Sequence, residues 1–123
     1  MHSSVNPRRF IGEPVLLHSA TRHDFIAVAD HLRVGRISRI AAEQGGESWL
    51  WTLTGPHCGW AVAGTAVSGF AANPVAARQQ LTRSFEAWLG WALAQDGPVH
   101  WHWTEAAAPV FILAEAIAEA RAA

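Results

Sequence analysis

The sequence has no lysine, and only one of its 123 residues is a cysteine. Because Cys58 has no second cysteine to pair with, an internal disulfide is excluded. No apolar run is long enough to predict a membrane-spanning helix, and the N-terminal stretch MHSSVNPRRF lacks the apolar region of a secretory signal peptide. We therefore expect a cytoplasmic protein without a membrane partner.

Charged residues are also scarce, at 15% of the chain, and the formal net charge is −1. A net charge this small gives no overall electrostatic attraction to nucleic acid. All nine basic residues are arginines, and six of them lie within the first 40 residues. One end of the protein is therefore expected to be mildly basic.

Apolar residues, by contrast, make up 50% of the chain and include seven tryptophans. This composition predicts a folded globular protein, because such side chains bury a large area. The length suits one domain. Residues 1–14 contain two prolines, two serines and a glycine with little periodicity. We therefore predict a flexible N-terminal tail over 1–14 and a single domain over 15–123.

Alternating apolar residues predict several strands. DFIAVA (24–29) and VGRISRI (34–40) form a predicted hairpin in which DHLR is a four-residue loop. The imperfect alternation of the second strand indicates a β-bulge. SWLWTLT (48–54) alternates strictly and is bounded by turn sequences. Weaker patterns predict further strands at 15–18 and within 60–70.

Two helices are predicted in the second half of the chain. Asn73 is a favourable N-cap, Pro74 suits the first turn, and an apolar stripe of helical spacing follows. The fold class is therefore α+β. We expect an antiparallel sheet of four or five strands with a long helix (about 74–95) packed on one face, then a strand (99–104) that closes the sheet and a C-terminal helix (about 109–121).

The predicted core consists of the apolar residues that share the inward faces of these elements. They are Phe25, Val28, Val34, Ile37, Trp49, Trp51, Leu53, Leu81, Phe85 and Trp88. In the strand VHWHW (99–103), the two tryptophans are expected to face inward and the two histidines to face water.

The segments GRISRI, SWLWTLTG and GTAVSG, followed by the helix that begins at Pro74, resemble short uncharacterised bacterial proteins of an alphaproteobacterial type. Those proteins are built on a GRI…WxW…GxA strand core and one amphipathic helix. The resemblance covers about residues 24–95, and because its motifs belong to the fold, it assigns no functional residue to this chain. The inferred order of strands and helix is also similar to that of HicB-type antitoxin domains.

His100 and His102 are the candidate metal ligands. Two histidines separated by one residue project from the same face of a strand, so they can share one metal ion. A third ligand would have to come from His57, Cys58 or Glu105. The alternative is an exposed strand face with no metal, and we expect no cofactor.

Arg33, Arg36 and Arg39 are the candidate nucleic-acid contacts. An arginine-bearing strand beside tryptophans can bind single strands by charge and by stacking. In a regular strand, however, Arg36 would lie on the opposite face from the other two. The alternative is a solvated sheet face on which arginine stems cover apolar surface.

No phosphate-binding loop, Ser-His-Asp set or dinucleotide motif is present, and we do not expect an enzyme. Trp60, beside a glycine, and Phe111 and Ile112, which lie off the apolar face of the last helix, are the candidate protein-interface residues. We therefore expect first an interaction or regulatory module that acts through protein contacts as a homodimer. A small nucleic-acid-binding domain and a small metalloprotein are the alternatives.

Overall fold

A computed structural model of the chain describes residues 3–41, 46–55 and 66–101. The elements follow in the order β1 (Ser3–Val5), a 3₁₀ helix (Pro7–Phe10), β2 (Leu16–Thr21), β3 (Asp24–Ala29), β4 (Leu32–Ala41), β5 (Glu47–Leu53), β6 (Ser68–Ala71), α1 (Pro74–Leu93) and β7 (Val99–Trp101).

The fold is α+β, as the sequence predicts. Strands β2 to β6 form a five-stranded antiparallel sheet in sequence order, and α1 packs on one face of it against β4, β5 and β6. We call the face under α1 the inward face and the opposite one the open face. Strands β1 and β7 form a separate two-stranded antiparallel sheet.

The β3–β4 hairpin is tighter than predicted. Only Asp30 and His31 connect the two strands, with φ angles of 47° and 63°. Two consecutive residues with positive φ are typical of the type I′ turn, whose twist matches that of antiparallel strands. The predicted four-residue loop is therefore wrong, because Asp30 tolerates the left-handed conformation and lets Leu32 begin β4.

Strand β4 contains a bulge, but not between Ile37 and Ile40, whose spacing suggests one: pairing with β5 is regular there, and the bulge lies near the start of the strand. Ala27 pairs with Gly35, whereas the next residue, Val28, pairs with Arg33, so Val34 is an extra residue. The Val34 carbonyl accepts hydrogen bonds from the backbone N–H groups of Thr54 and Gly55, at 2.9 and 3.2 Å. The bulge thus remains hydrogen-bonded to the end of β5. The β4 residues before it, including Arg33, project from the opposite side of the sheet to the one that regular alternation would give them.

Helix α1 begins as its sequence predicts. The Asn73 side chain accepts a hydrogen bond of 2.8 Å from the Ala76 backbone N–H, and Pro74 occupies the first turn. Toward the sheet, the Trp51 indole N–H donates to the Gln80 side-chain oxygen at 2.8 Å. The helix also lies close to Gly35, where an added Cβ would stand 2.7 Å from Leu81 Cδ1. Gly35 therefore permits the close approach of helix and sheet.

All ten predicted core residues are buried, each with at most 6% of its surface exposed. The inward alternation of β3, β4 and β5 and the apolar stripe of α1 identify nine of them, whereas Val28 is paired with Leu16 and Arg33 and is buried on the opposite face of the sheet. The core also contains residues outside that prediction, among them Phe10, Leu17 and Trp101, each at most 1% exposed.

The N-terminal segment, predicted as a tail, forms β1 and the 3₁₀ helix, and its residues Val5, Pro7 and Phe10 are buried. The Phe10 ring stacks on Trp101 at 5.1 Å between centroids and meets Phe85 edge-on at 5.3 Å. Arg9 Nε donates to Asp30 Oδ2 at 2.6 Å, which ties the 3₁₀ helix to the β3–β4 turn. Burial of Phe10 explains why the segment does not behave as its polar, proline-containing composition suggests.

The strand within VHWHW is confirmed for Val99–Trp101, with Trp101 fully buried and His100 exposed. The prediction that it closes the main sheet is wrong, because β7 pairs with β1 in the second sheet, with His100 opposite Ser4. The remainder of the predicted strand (102–104), the predicted helix 109–121 and most of the predicted strand within 60–70 lie outside the described residues.

Candidate interaction surface

The open face of the five-stranded sheet is the candidate site. The α-helix of the described residues packs on the inward face, and the 3₁₀ helix packs against that helix. No described helix therefore crosses the open face. Cross-strand pairing places three rows of side chains there: Asp24–Ser38–Leu50–Phe70, His18–Ile26–Arg36–Thr52–Ser68 and Leu16–Val28–Arg33.

The centre of the open face is a hydrogen-bonded ion pair. Arg36 Nε donates to Asp24 Oδ1 at 2.8 Å and its Nη2 to Oδ2 at 2.5 Å, while the Ser38 hydroxyl donates to Oδ1 at 2.7 Å. Burial would raise the pKa of the Asp24 carboxyl, but the hydrogen bonds from Arg36 and Ser38 and the Arg36 charge outweigh it and lower that pKa. The same bonds raise the pKa of Arg36. The pair is therefore charged and internally satisfied at neutral pH.

Apolar side chains lie at the two sides of this ion pair. Phe70, on the edge strand β6, exposes 61% of its surface, and Leu16, on the opposite edge strand β2, exposes 38%. Leu50 lies between Ser38 and Phe70 and is half-buried. A shallow depression of about 280 Å³ runs beside it, lined by Arg36, Ser38, Leu50, Thr52 and Thr54. The open face is thus a polar centre flanked by apolar edges.

His18 is the titratable imidazole of this face. Its Nδ1 atom is buried and has no hydrogen-bond partner in the described part of the chain. Burial, and to a smaller extent the nearby His31, lowers the pKa of His18 below its ordinary value. The neutral form is therefore favoured at neutral pH.

The three arginines of β4 do not form one basic surface. Because of the bulge, Arg33 and Arg36 share the open face, while Arg39 pairs across from the buried Trp49 on the inward side. Arg39 Nη2 lies 3.1 Å from Glu47 Oε1 and its Nη1 lies 3.3 Å from the His23 ring nitrogens. With Arg36 bound to Asp24, two of the three cationic groups are matched by carboxylates, which weakens the field available to a phosphate backbone.

Of the two candidate metal ligands, only His100 is described, and it is exposed on β7. Within residues 3–41, 46–55 and 66–101, no three His, Cys, Asp or Glu side chains come together in a way that could hold a metal ion. His102 and the possible third ligands His57, Cys58 and Glu105 lie outside these ranges.

The predicted interface residues Trp60, Phe111 and Ile112 also lie outside the described residues. Sequence reasoning also missed Phe70, one of several exposed large apolar residues in the described part of the chain. Its signal is present in the sequence, because it is the one large side chain in the small-residue stretch GTAVSGFAA, and alternation with the buried Ala71 turns it outward.

Comparison of the chain with protein-family models, with curated proteins and with solved structures gives no match. Among the helices that the structure describes, none has both the length and the apolarity needed to cross a membrane. The chemistry of the open face itself therefore indicates what it can bind.

Proposed function

We propose that this protein is a non-enzymatic interaction module whose open sheet face associates with the same face of a second copy. The observation that carries the proposal is the exposure of Phe70 and Leu16 on either side of an internally bonded ion pair, on a face that no described helix covers. Sheet faces with exposed aromatic residues are commonly buried against a partner.

The size of the face is compatible with a small homodimer. Five strands spaced by about 4.8 Å and six residues long, at about 3.3 Å per residue, present a planar area of roughly 500 Å². Two such faces together provide about 1,000 Å², which is near the lower limit for a specific protein interface. The association is therefore expected to be reversible, with the protein passing between monomer and dimer as its concentration changes.

The charge pattern also favours a second copy as the partner. A twofold axis brings each element of a face against its own counterpart, so an unbalanced charge would meet a like charge. At the centre of the face, Arg36 and Asp24 neutralise each other and Ser38 donates a further hydrogen bond to the carboxylate, while Arg33 lies opposite Val28 toward one end of the face. Covering such a pair costs less than covering a lone charge, because its hydrogen bonds are already made.

The test is the molar mass in solution, measured by size-exclusion chromatography with light scattering and by sedimentation equilibrium. The wild-type chain is expected to approach twice its monomer mass as the concentration rises. Phe70→Glu places an unpaired charge in the contact and is expected to weaken the dimer at least about a hundredfold. A wild-type chain that remains monomeric at high micromolar concentration overturns the proposal.

The matched control is Ile11→Glu. Ile11 has the same exposure as Phe70, 61%, but follows the 3₁₀ helix on the α1 side of the sheet. Both substitutions exchange one exposed apolar residue for one carboxylate, so they change net charge and surface hydrophobicity alike. Only Phe70→Glu is expected to lower the dimer mass. Equal loss in both variants would place the contact elsewhere and refute the assignment to the open face.

A further inference from the structure

A cleft on the opposite side of the molecule from the open face carries a second, independent inference. It lies between the chain segment 12–15 and one side of α1, and its volume is about 370 Å³. We call it the α1 cleft. This volume is at the small end of the range for ligand pockets, so the cleft suits a small molecule rather than a macromolecule.

The lining of the α1 cleft contains two side-chain atoms that have no hydrogen-bond partner among the described residues. Arg78 and Thr82, one helical turn apart, both line the cleft. The Arg78 Nε and Thr82 Oγ1 atoms are buried and unbonded, and both side chains are only half-buried, so part of each faces the cleft. Buried polar atoms without a protein partner are rare in folded proteins, and beside a cavity they can bond a polar group that enters it.

Arg78 is held in place for such a contact. Its Nη1 donates to the Val15 carbonyl at 3.1 Å, which fixes one arm of the guanidinium against the segment that closes the cleft. Among the described residues no carboxylate forms an ion pair with Arg78. A guanidinium fork with an adjacent hydroxyl offers the donors that a carboxylate accepts.

The rest of the α1 cleft lining is acidic on one part and apolar on another. Glu13 and Glu86 are exposed and line the same cleft, so one cation and two anions face it. A simple anion would be repelled by this excess of negative charge, whereas a molecule that carries an ammonium group beside its carboxylate matches both signs. Phe10, Phe85, Val15 and Leu89 supply apolar walls.

We propose that the α1 cleft binds a free α-amino acid with an apolar side chain. Its carboxylate is bound by Arg78 and Thr82, its ammonium group by Glu13 and Glu86, and its side chain by the aromatic and aliphatic wall. The inference does not depend on self-association, because the cleft and the open face lie on different sides of the sheet.

Isothermal titration calorimetry tests the proposal with L-leucine and L-phenylalanine as probes. Saturable one-to-one binding is expected for at least one of them at up to millimolar concentration. The two matched analogues of leucine, 4-methylpentanoate without the ammonium group and 3-methylbutylamine without the carboxylate, are each expected to bind at least about tenfold more weakly. No saturable heat with either amino acid overturns the proposal, and an analogue that binds as well as leucine overturns the zwitterion assignment.

Three variants locate the site. Thr82→Val keeps the shape of the side chain and is expected to weaken leucine binding about tenfold, and Arg78→Met is expected to abolish it. Arg83→Met is the matched control, because Arg83 is exposed on the same helix outside the cleft, and it is expected to bind as the wild type does. Should Arg78→Met fail to fold, Thr82→Val still decides: unchanged affinity in that variant overturns the site.

Discussion

Gly55 provides the sharpest test of how the two sheets are joined. A Cβ added at Gly55 would lie 2.3 Å from Trp101 Cζ2 and 2.4 Å from the Arg33 carbonyl oxygen, about 1 Å inside ordinary contact on both sides. Neither neighbour can withdraw easily. Trp101 is fully buried between Phe10, at 5.1 Å, and Trp88, at 5.3 Å, and the Arg33 carbonyl belongs to β4 beside the bulge.

Gly55→Ala is therefore expected to destabilise the protein by about 3 kcal/mol, at the upper end of the usual cost of overpacking. With about 4 °C per kcal/mol for a chain of this size, the melting temperature should fall by roughly 12 °C. Urea unfolding followed by tryptophan fluorescence measures the free energy, and the emission of the folded state should also change, because the Trp101 ring is displaced.

Gly90→Ala is the control for this substitution. Gly90 lies inside α1, is exposed, and has no atom within 4 Å of the position that its Cβ would occupy. Alanine at an exposed helical position is expected to stabilise by about 1 kcal/mol. The same chemical change should thus have opposite signs at the two glycines. A Gly55→Ala protein as stable as the wild type would refute the packing of Trp101 against the end of β5.

Three further predictions concern other parts of the structure. Phe10→Ala should lower the unfolding free energy by about 3–5 kcal/mol in urea titrations, whereas a tail residue would have no effect. Asp24→Asn should cost at most about 1 kcal/mol at neutral pH, since Arg36 is largely exposed and water screens the pair. Because the pKa of Asp24 is lowered, the difference in unfolding free energy between wild type and variant should be largest above pH 3.8. It should disappear as the pH falls through the lowered pKa. The stability of the wild type should decrease as the pH falls below 6.5, because the lowered pKa of His18 makes protonation favour the unfolded chain. His18→Gln should not show this decrease. Identical pH profiles for wild type and variant would contradict the prediction.

The parts of the fold that could be predicted from the sequence depend on local periodicity. Strict alternation in 48–54 and the stripe that contains Leu81, Phe85 and Trp88 identify inward residues without any knowledge of their partners. The N-cap at Asn73 is equally local. These features therefore carry over directly from sequence to structure.

The features that were missed depend on which distant segments meet. Phe10 and Trp101 are separated by most of the chain, and nothing near either residue indicates that the two rings stack. The pairing of β7 with β1 is unpredictable for the same reason. The Asp24–Arg36 pair depends on the register between β3 and β4, and that register depends on a turn two residues shorter than the predicted loop.

The inward face of the sheet contributes mainly to folding stability, whereas the open face is the one proposed to bind a second copy. On the inward face, Trp49, Trp51 and Ile37 are all buried under α1, and substitutions there must destabilise the fold before they reveal any other role. On the open face, Phe70 is largely exposed and the ion pair borders water at Arg36, so both contribute little to folding of the single chain. Under the proposed dimer, substitutions of these exposed residues of the open face are therefore expected to change association at nearly constant stability. If Phe70→Glu lowered the unfolding free energy as much as it weakened the dimer, the substituted residue would contribute to the core, and the proposed difference between the two faces would be wrong.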